Sequence, residues 1–179
     1  VKTVTDLQSL VKGLKQPRVV WSMLPAGRPT DETIKELSEM LDEDDVVIDG
    51  GNSFYQDSIR HAEVLKERGI HFFDVGTSGG KAGARHDGNF MIGGPKEIFG
   101  RIEPLFKAIA AEDGYLYTGE AGSGHYLKMV HNGIEYGMMQ AIGEGFEVLS
   151  ESQFDYDNEA VAKVWNHGSV VRSWLMELA

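Results

Sequence analysis

Apolar residues along the first two thirds of the chain fall into short runs separated by stretches of helical spacing. Arg18-Val-Val-Trp-Ser-Met-Leu24 predicts a strand stopped by Pro25 and Gly27, after a first helix at Thr5 to Leu14. Ile34, Leu37, Met40 and Leu41 recur at helical spacing behind Thr30 or Asp31 as a cap. Asp45-Val-Val-Ile-Asp49 predicts a second strand, and a helix follows from Gln56 to Arg68 with Gly69 suited to its C-terminal cap. His71-Phe-Phe-Asp-Val75 and Phe90-Met-Ile92 predict two more strands, then come a helix from Lys96 to Ala111 and a short strand at Tyr115-Leu-Tyr117. Strands alternating with helices at these lengths predict βαβ units and a mainly parallel sheet, whose ligand crevice lies beyond the carboxyl ends of its strands. From His125 to Ser150 the pattern becomes one long helix, followed by helices near Glu159–Asn166 and Val170–Leu178. The expected fold is therefore α/β, a partial Rossmann-like sheet over residues 1–121, followed by an all-α domain beginning at residues 122–179.

Composition narrows the chemistry. With 179 residues, 41% hydrophobic and 25% charged, the chain has the balance of a soluble globular protein. A net charge of −11 argues against general nucleic-acid binding, which needs Lys and Arg to neutralise phosphates. It leaves room for an anionic small substrate held by a few local cations. Cysteine is absent, which removes disulfides, thiolate zinc sites and thiol nucleophiles and fits a cytoplasmic protein. No run approaches the ~20 apolar residues of a membrane span, so no membrane partner is expected. The chain opens on Val1 and stops at Ala179 inside an amphipathic pattern, so both ends read as cut. No Gly-x-Gly-x-x-Gly turn is present, which would place a dinucleotide enzyme's first βαβ unit upstream of Val1.

Lys128, His131, Asn132 and Glu135 stand at i, i+3, i+4 and i+7, so one helix face carries an amine, an imidazole, an amide and a carboxylate. An amine and a carboxylate on one face can serve a cleft as base and acid. Met129, Val130, Ile134 and Met138 are expected to pack on the other sides. A solvated helix face is the alternative, and spacing alone leaves both open. His125 and Tyr126 at the helix start read more readily as packing. Three Gly-rich turns strengthen the functional reading: Gly50-Gly51-Asn52-Ser53, Ser78-Gly79-Gly80 and Gly122-Ser123-Gly124, all expected at the ligand edge. Glycines in the last would let a flat ring approach the backbone, and Ser78-Gly79-Gly80 could hold a carboxylate.

Asp49-Gly-Gly-Asn-Ser53, Gly76-Thr-Ser-Gly-Gly80 with Gly83-Ala-Arg85, and Gly124-His-Tyr-Leu-Lys-Met-Val-His-Asn-Gly-Ile-Glu-Tyr136 resemble the 6-phosphogluconate dehydrogenase family, over about Val19 to Leu175. Trp21-Ser-Met-Leu-Pro-Ala-Gly27, Phe90-Met-Ile-Gly-Gly94 and Trp165-Asn166 with Ser173-Trp174 are similar to its shorter, bacterial-type branch. The resemblance implies oxidative decarboxylation of 6-phosphogluconate with NAD or NADP and no metal. It implies Lys128 as the general base, with a lowered pKa, and Glu135 as the acid. Ser78, Gly79, Gly80, His131 and Asn132 would bind the substrate's carboxylate and hydroxyls, and Tyr136 its phosphate. Asn52 would touch substrate and cofactor, with Met23, Leu24, Pro25 and Ala26 lining the nicotinamide side. A homodimer or higher homo-oligomer is implied as well. Lys81 departs from the acidic residue many members carry after Ser-Gly-Gly, and Met138 from a common Asp. The residue that would separate NAD from NADP is expected upstream. Two other readings stand beside this one: a non-decarboxylating β-hydroxyacid dehydrogenase of the 3-hydroxyisobutyrate type, and a non-catalytic relative that keeps the fold.

Overall fold

The computed structural model describes residues 2–179. They divide into a unit ending at Met129 and a second from Val130 to Ala179. The first unit holds a five-stranded sheet in the order β1-β2-β3-β4-β5, with β1 at Val19–Ser22, β2 at Val46–Asp49, β3 at His71–Ser78, β4 at Gly88–Gly93 and β5 at Ala110–Gly119. Its helices are α1 (Leu7–Gly13), α2 (Arg28–Met40), α3 (Tyr55–Lys66), α4 (Gly80–Arg85) and α5 (Lys96–Ile109). Helix α6 (Ser123–Ser150) begins in this unit and continues into the second, which also holds α7 (Asn158–Trp165) and α8 (Trp174–Leu178). The fold is thus the expected α/β arrangement, a mainly parallel sheet followed by helices alone.

Burial on both faces explains the continuous apolar runs. In β2 and β3 alternate residues point to opposite sides. Val47 and Phe72 join Val20, Ile34, Leu37 and Leu65, while Val46, Ile48, Phe73 and Val75 join Ile92, Ile102 and Phe106. Val46, Val47, Ile48 and Phe73 are completely buried.

Several boundaries differ from the sequence reading for identifiable reasons. β1 is shorter than Arg18–Leu24: the Arg18 N–H donates to the Asp45 carboxylate, and Met23 and Leu24 have already left the ladder. Neither Thr30 nor Asp31 caps α2. The cap is Gly27, Thr30 donates its hydroxyl to the Pro25 carbonyl, and Asp31 pairs with Arg60 and His61. α3 ends at Lys66 with Glu67 as its cap residue, and Gly69, at φ +70°, closes the turn that follows, with the Ile70 N–H reaching back to the Leu65 carbonyl. α8 starts only at Trp174, where the Ser173 hydroxyl accepts from the Met176 N–H. Strand β3 runs on to Ser78, and β4 lies antiparallel to it, with Asp74 opposite Gly93 and Ser78 opposite Asn89. Residues 79–87 are too few for the crossover of a dozen or more that a parallel neighbour needs, and they form the unanticipated α4. The first three strands are parallel, so their carboxyl ends share one edge of the sheet.

Candidate functional site

The turns after β1, β2 and β3 are brought together at that edge. Asp49, the last residue of β2, accepts from the Gly51 N–H at 3.0 Å and from the Ser53 hydroxyl at 2.7 Å, which tightens the turn leading to Asn52. The Gly50 N–H donates to the Ser22 carbonyl, and Thr77 of β3 donates its hydroxyl to the Gly50 carbonyl at 3.3 Å. A Cβ on Gly50 would lie 2.6 Å from the Met23 sulfur, and one on Gly51 would lie 2.6 Å from the Leu24 carbonyl. Bare backbone at Gly50 and Gly51 is therefore what lets Met23 and Leu24 sit against the next turn. The Met23 side chain is 61% exposed, an apolar thioether on an open rim. Pro25 is held from behind by Thr30.

Lys128 stands over the next strand. A Cβ on Gly76 would be 2.5 Å from the Lys128 Cβ and 2.9 Å from the Gly124 carbonyl, so α6 rests directly on the backbone of β3 two residues before Ser78. Lys128 is 8% exposed, an unusual degree of burial for an amine. Ser78 ends the strand, and Gly79, at φ +107°, turns the chain into α4. Gly80 is the first residue of that helix, not the end of a turn, and a side chain there would meet open space.

In the second unit, α6 carries His131, Asn132, Glu135 and Tyr136. His131 Nδ1 lies 3.6 Å from Glu135 Oε2 and 3.2 Å from Asn132 Oδ1, forming an imidazole–carboxylate pair with an amide beside it. Tyr136 is exposed.

One expectation is corrected. Met129, Val130, Ile134 and Met138 do not pack; all four are exposed. The Gly122-Ser123-Gly124 turn is closely packed on the side toward which its glycines would carry a Cβ. A Cβ on Gly122 would meet Ile59, and one on Gly124 would lie 2.5 Å from the Asp74 carbonyl and 2.8 Å from the Gly93 nitrogen. Gly122 thereby makes room for α3, and Gly124 for β3 and β4.

Two buried polar groups lie at the start of α6: Asp74, which went unread, and His125, expected there as packing. Asp74, completely buried in β3, accepts from the Gly122 N–H at 2.7 Å and the His125 N–H at 2.8 Å. Burial pushes its carboxyl above the usual range, against the pull of those hydrogen bonds. His125 is 1% exposed, with Nδ1 2.7 Å from the Ser58 hydroxyl. Their partners are distant in sequence, so no local motif marks them.

Residues 1–122 match the family model for the NAD binding domain of 6-phosphogluconate dehydrogenase, and residues 124–179 match that for the C-terminal domain of 6-phosphogluconate dehydrogenase. The chain belongs to the 6-phosphogluconate dehydrogenase family. Among its relatives, the Bacillus subtilis (strain 168) protein YqeC is 58% identical over 97% of this chain and 58% of its own length. The NAD(+)-dependent, decarboxylating 6-phosphogluconate dehydrogenase of Haloferax volcanii is 50% identical over 97% of this chain and 57% of its own length. The Plasmodium falciparum 6-phosphogluconate dehydrogenase, solved in its apo form and in complex with its cofactor NADP+ and its substrate 6-phosphogluconate, superposes with a TM-score of 0.87. It is 37% identical, and the match covers 97% of this chain and 38% of that one. The chain thus spans well under two thirds of the length of these 6-phosphogluconate dehydrogenase relatives. No described helix is long and apolar enough to cross a membrane, and among the described residues no group of three or more His, Asp or Glu is placed to hold a metal ion.

Proposed function

We propose that this chain carries the substrate-facing half of a decarboxylating 6-phosphogluconate dehydrogenase that uses NAD or NADP. The observation that carries the reading is the buried Lys128 over Gly76, beside the strand that ends in Ser78-Gly79-Gly80. The turns after β1 and β2 fit the nicotinamide end of a dinucleotide: they are small and open, with the apolar Met23 on the rim and Leu24, Pro25, Ala26 and Asn52 alongside. The Gly-rich seat for a pyrophosphate is not in this sequence.

In this reading Lys128 starts uncharged, a form that burial of an amine favours. It takes the proton from the C3 hydroxyl. The bound oxidised nicotinamide would supply the electron sink, accepting hydride from C3. Charged Lys128 then polarises the 3-keto oxygen and returns the proton to it as the bond to C1 breaks and CO2 leaves. Glu135 donates a proton to the carbon that lost CO2, which becomes C1 of the pentulose, with Lys128 taking the proton of the neighbouring enediol hydroxyl, to give ribulose 5-phosphate. Ser78, Gly79, Gly80, His131 and Asn132 hold the carboxylate and hydroxyls, Tyr136 the phosphate, and Asn52 both ligands. We take the helical domain to begin at Gly122. The exposed Met129, Met138 and Met139 support a homodimer or higher homo-oligomer, and a cytoplasmic location is checked by cell fractionation.

Turnover of 6-phosphogluconate by the full-length protein is the test, with CO2 and reduced cofactor measured together. Equal amounts of the two are expected. Reduced cofactor without CO2 would replace this reading by a non-decarboxylating β-hydroxyacid dehydrogenase, and no turnover with either cofactor would leave a non-catalytic relative.

A further inference from the structure

The first backbone N–H groups of a helix have no acceptor within it, so another group must accept from them. Asp74 does so from the middle of β3, 48 residues earlier. One carboxylate oxygen takes the Gly122 N–H and the other the His125 N–H. The carboxylate therefore acts as an N-cap supplied by another element, a role that a helix normally fills with the residue just before it. A second anchor is the side chain of that same His125. The His125 ring is buried, with Nδ1 2.7 Å from the hydroxyl of the completely buried Ser58 on α3.

Between these anchors the helix touches the sheet with almost no side chain in between. A Cβ on Gly93, opposite Asp74 in β4, would lie 2.6 Å from Asp74 Oδ1 and 2.7 Å from the Ser123 hydroxyl. Gly124 and Gly76 leave room in the same way for the helix backbone and for Lys128. Lys128 follows His125 by three positions, one turn along the same side of the helix, and its stem begins at the point where α6 meets Gly76. The place of the amine is thus set by how the first turn is seated.

We propose that Asp74 is a positioning residue for Lys128: its carboxylate, assisted by the His125–Ser58 pair, fixes the first turn of α6 so that the amine is held at the place of reaction. The inference rests on the role proposed for Lys128. Burial already disfavours the Asp74 carboxylate, so the hydrogen bonds it makes to the helix are the counterweight that keeps it in place. Catalytic groups tolerate little displacement, and a shift of about 1 Å can cost about 10²-fold in rate.

Asp74→Asn in the full-length protein keeps the shape but turns an N–H donor toward one of the two helix N–H groups. The expected result is a loss of about 10- to 100-fold in kcat with KM for 6-phosphogluconate within about twofold, measured well below the variant's melting temperature. Amide hydrogen exchange should rise at residues 122–128 and not in β2. Ser58→Ala, the milder change, should lower kcat in the same direction by less, and it serves if Asp74→Asn does not fold. A fall in melting temperature with wild-type kcat in the folded variants would overturn the proposal. So would unchanged exchange at residues 122–128, which can be read even if the wild type shows no turnover and the activity itself is wrong.

Discussion

At the scale of single residues, burial separates the two groups proposed to move protons. Lys128 is almost enclosed, whereas Glu135 is half exposed beside His131. Removing the amine takes away both the base for oxidation and the acid for decarboxylation, so Lys128→Ala should reduce each by at least about 10³-fold, since general acid–base catalysis alone contributes 10²–10⁴-fold. Glu135→Ala should slow the last protonation more than the oxidation. Stopped-flow absorbance would then show a normal burst of reduced cofactor followed by slow steady turnover. Near-normal activity in Lys128→Ala would remove the assignment. The spacing of these residues was legible in the sequence. Their environments were not, because the same helix face gives no sign of where a strand will pass beneath it.

At the scale of elements, what the sequence showed was periodicity, and what it hid was long-range pairing. The apolar runs marked β1, β2 and the first half of β3. Gly76 to Ser78 went unread because Gly76, Thr77 and Ser78 carry no apolar alternation, and they are strand only because β4 pairs with them. Helix α4 has no buried residue and hence no pattern to read. The meeting of β1 and β2 is fastened by Asp45, which accepts from the Arg18 and Asp42 N–H groups and from the Arg18 guanidinium. Burial pushes the Asp45 carboxyl up, but these donors outweigh it and hold it below the usual range. Held lower in the folded than in the unfolded chain, the carboxyl binds fewer protons when folded. Its contribution is complete above the unfolded value and is lost as pH falls through the folded one. Asp45→Asn should cost about 3 kcal/mol at neutral pH, as expected for breaking a buried ion pair. In urea unfolding the gap from wild type should narrow as pH drops below about 4; a gap of equal size at pH 7 and pH 3 would contradict it.

At the scale of the whole molecule, the sheet is enclosed at its centre and thin at its rim. Val46, Val47, Ile48 and Phe73 are fully buried between the two cores, whereas α4 lies open. Hydrogen exchange should therefore be slowest in β2 and the first half of β3 and fast across Gly80–Arg85, as stability follows buried apolar contact. Comparable protection in both places would show that the segment next to Ser78 is firmer than its burial implies. A parallel fold class was legible from the alternation of strand and helix. The reversal at β4 could have been read from the short span between Ser78 and Gly88.

The seat of α6 also bears on how the gene could vary. Gly76, Gly93 and Gly124 meet from three separate segments, and a methyl group at any of them would strike backbone or the stem of Lys128. Gly133, Gly137 and Gly143 on the same helix face open space. In a saturation library selected for growth on gluconate, the first three codons should stay nearly fixed and the other three should drift. Two sets of glycines that look alike in the sequence would then be told apart by their tolerance alone.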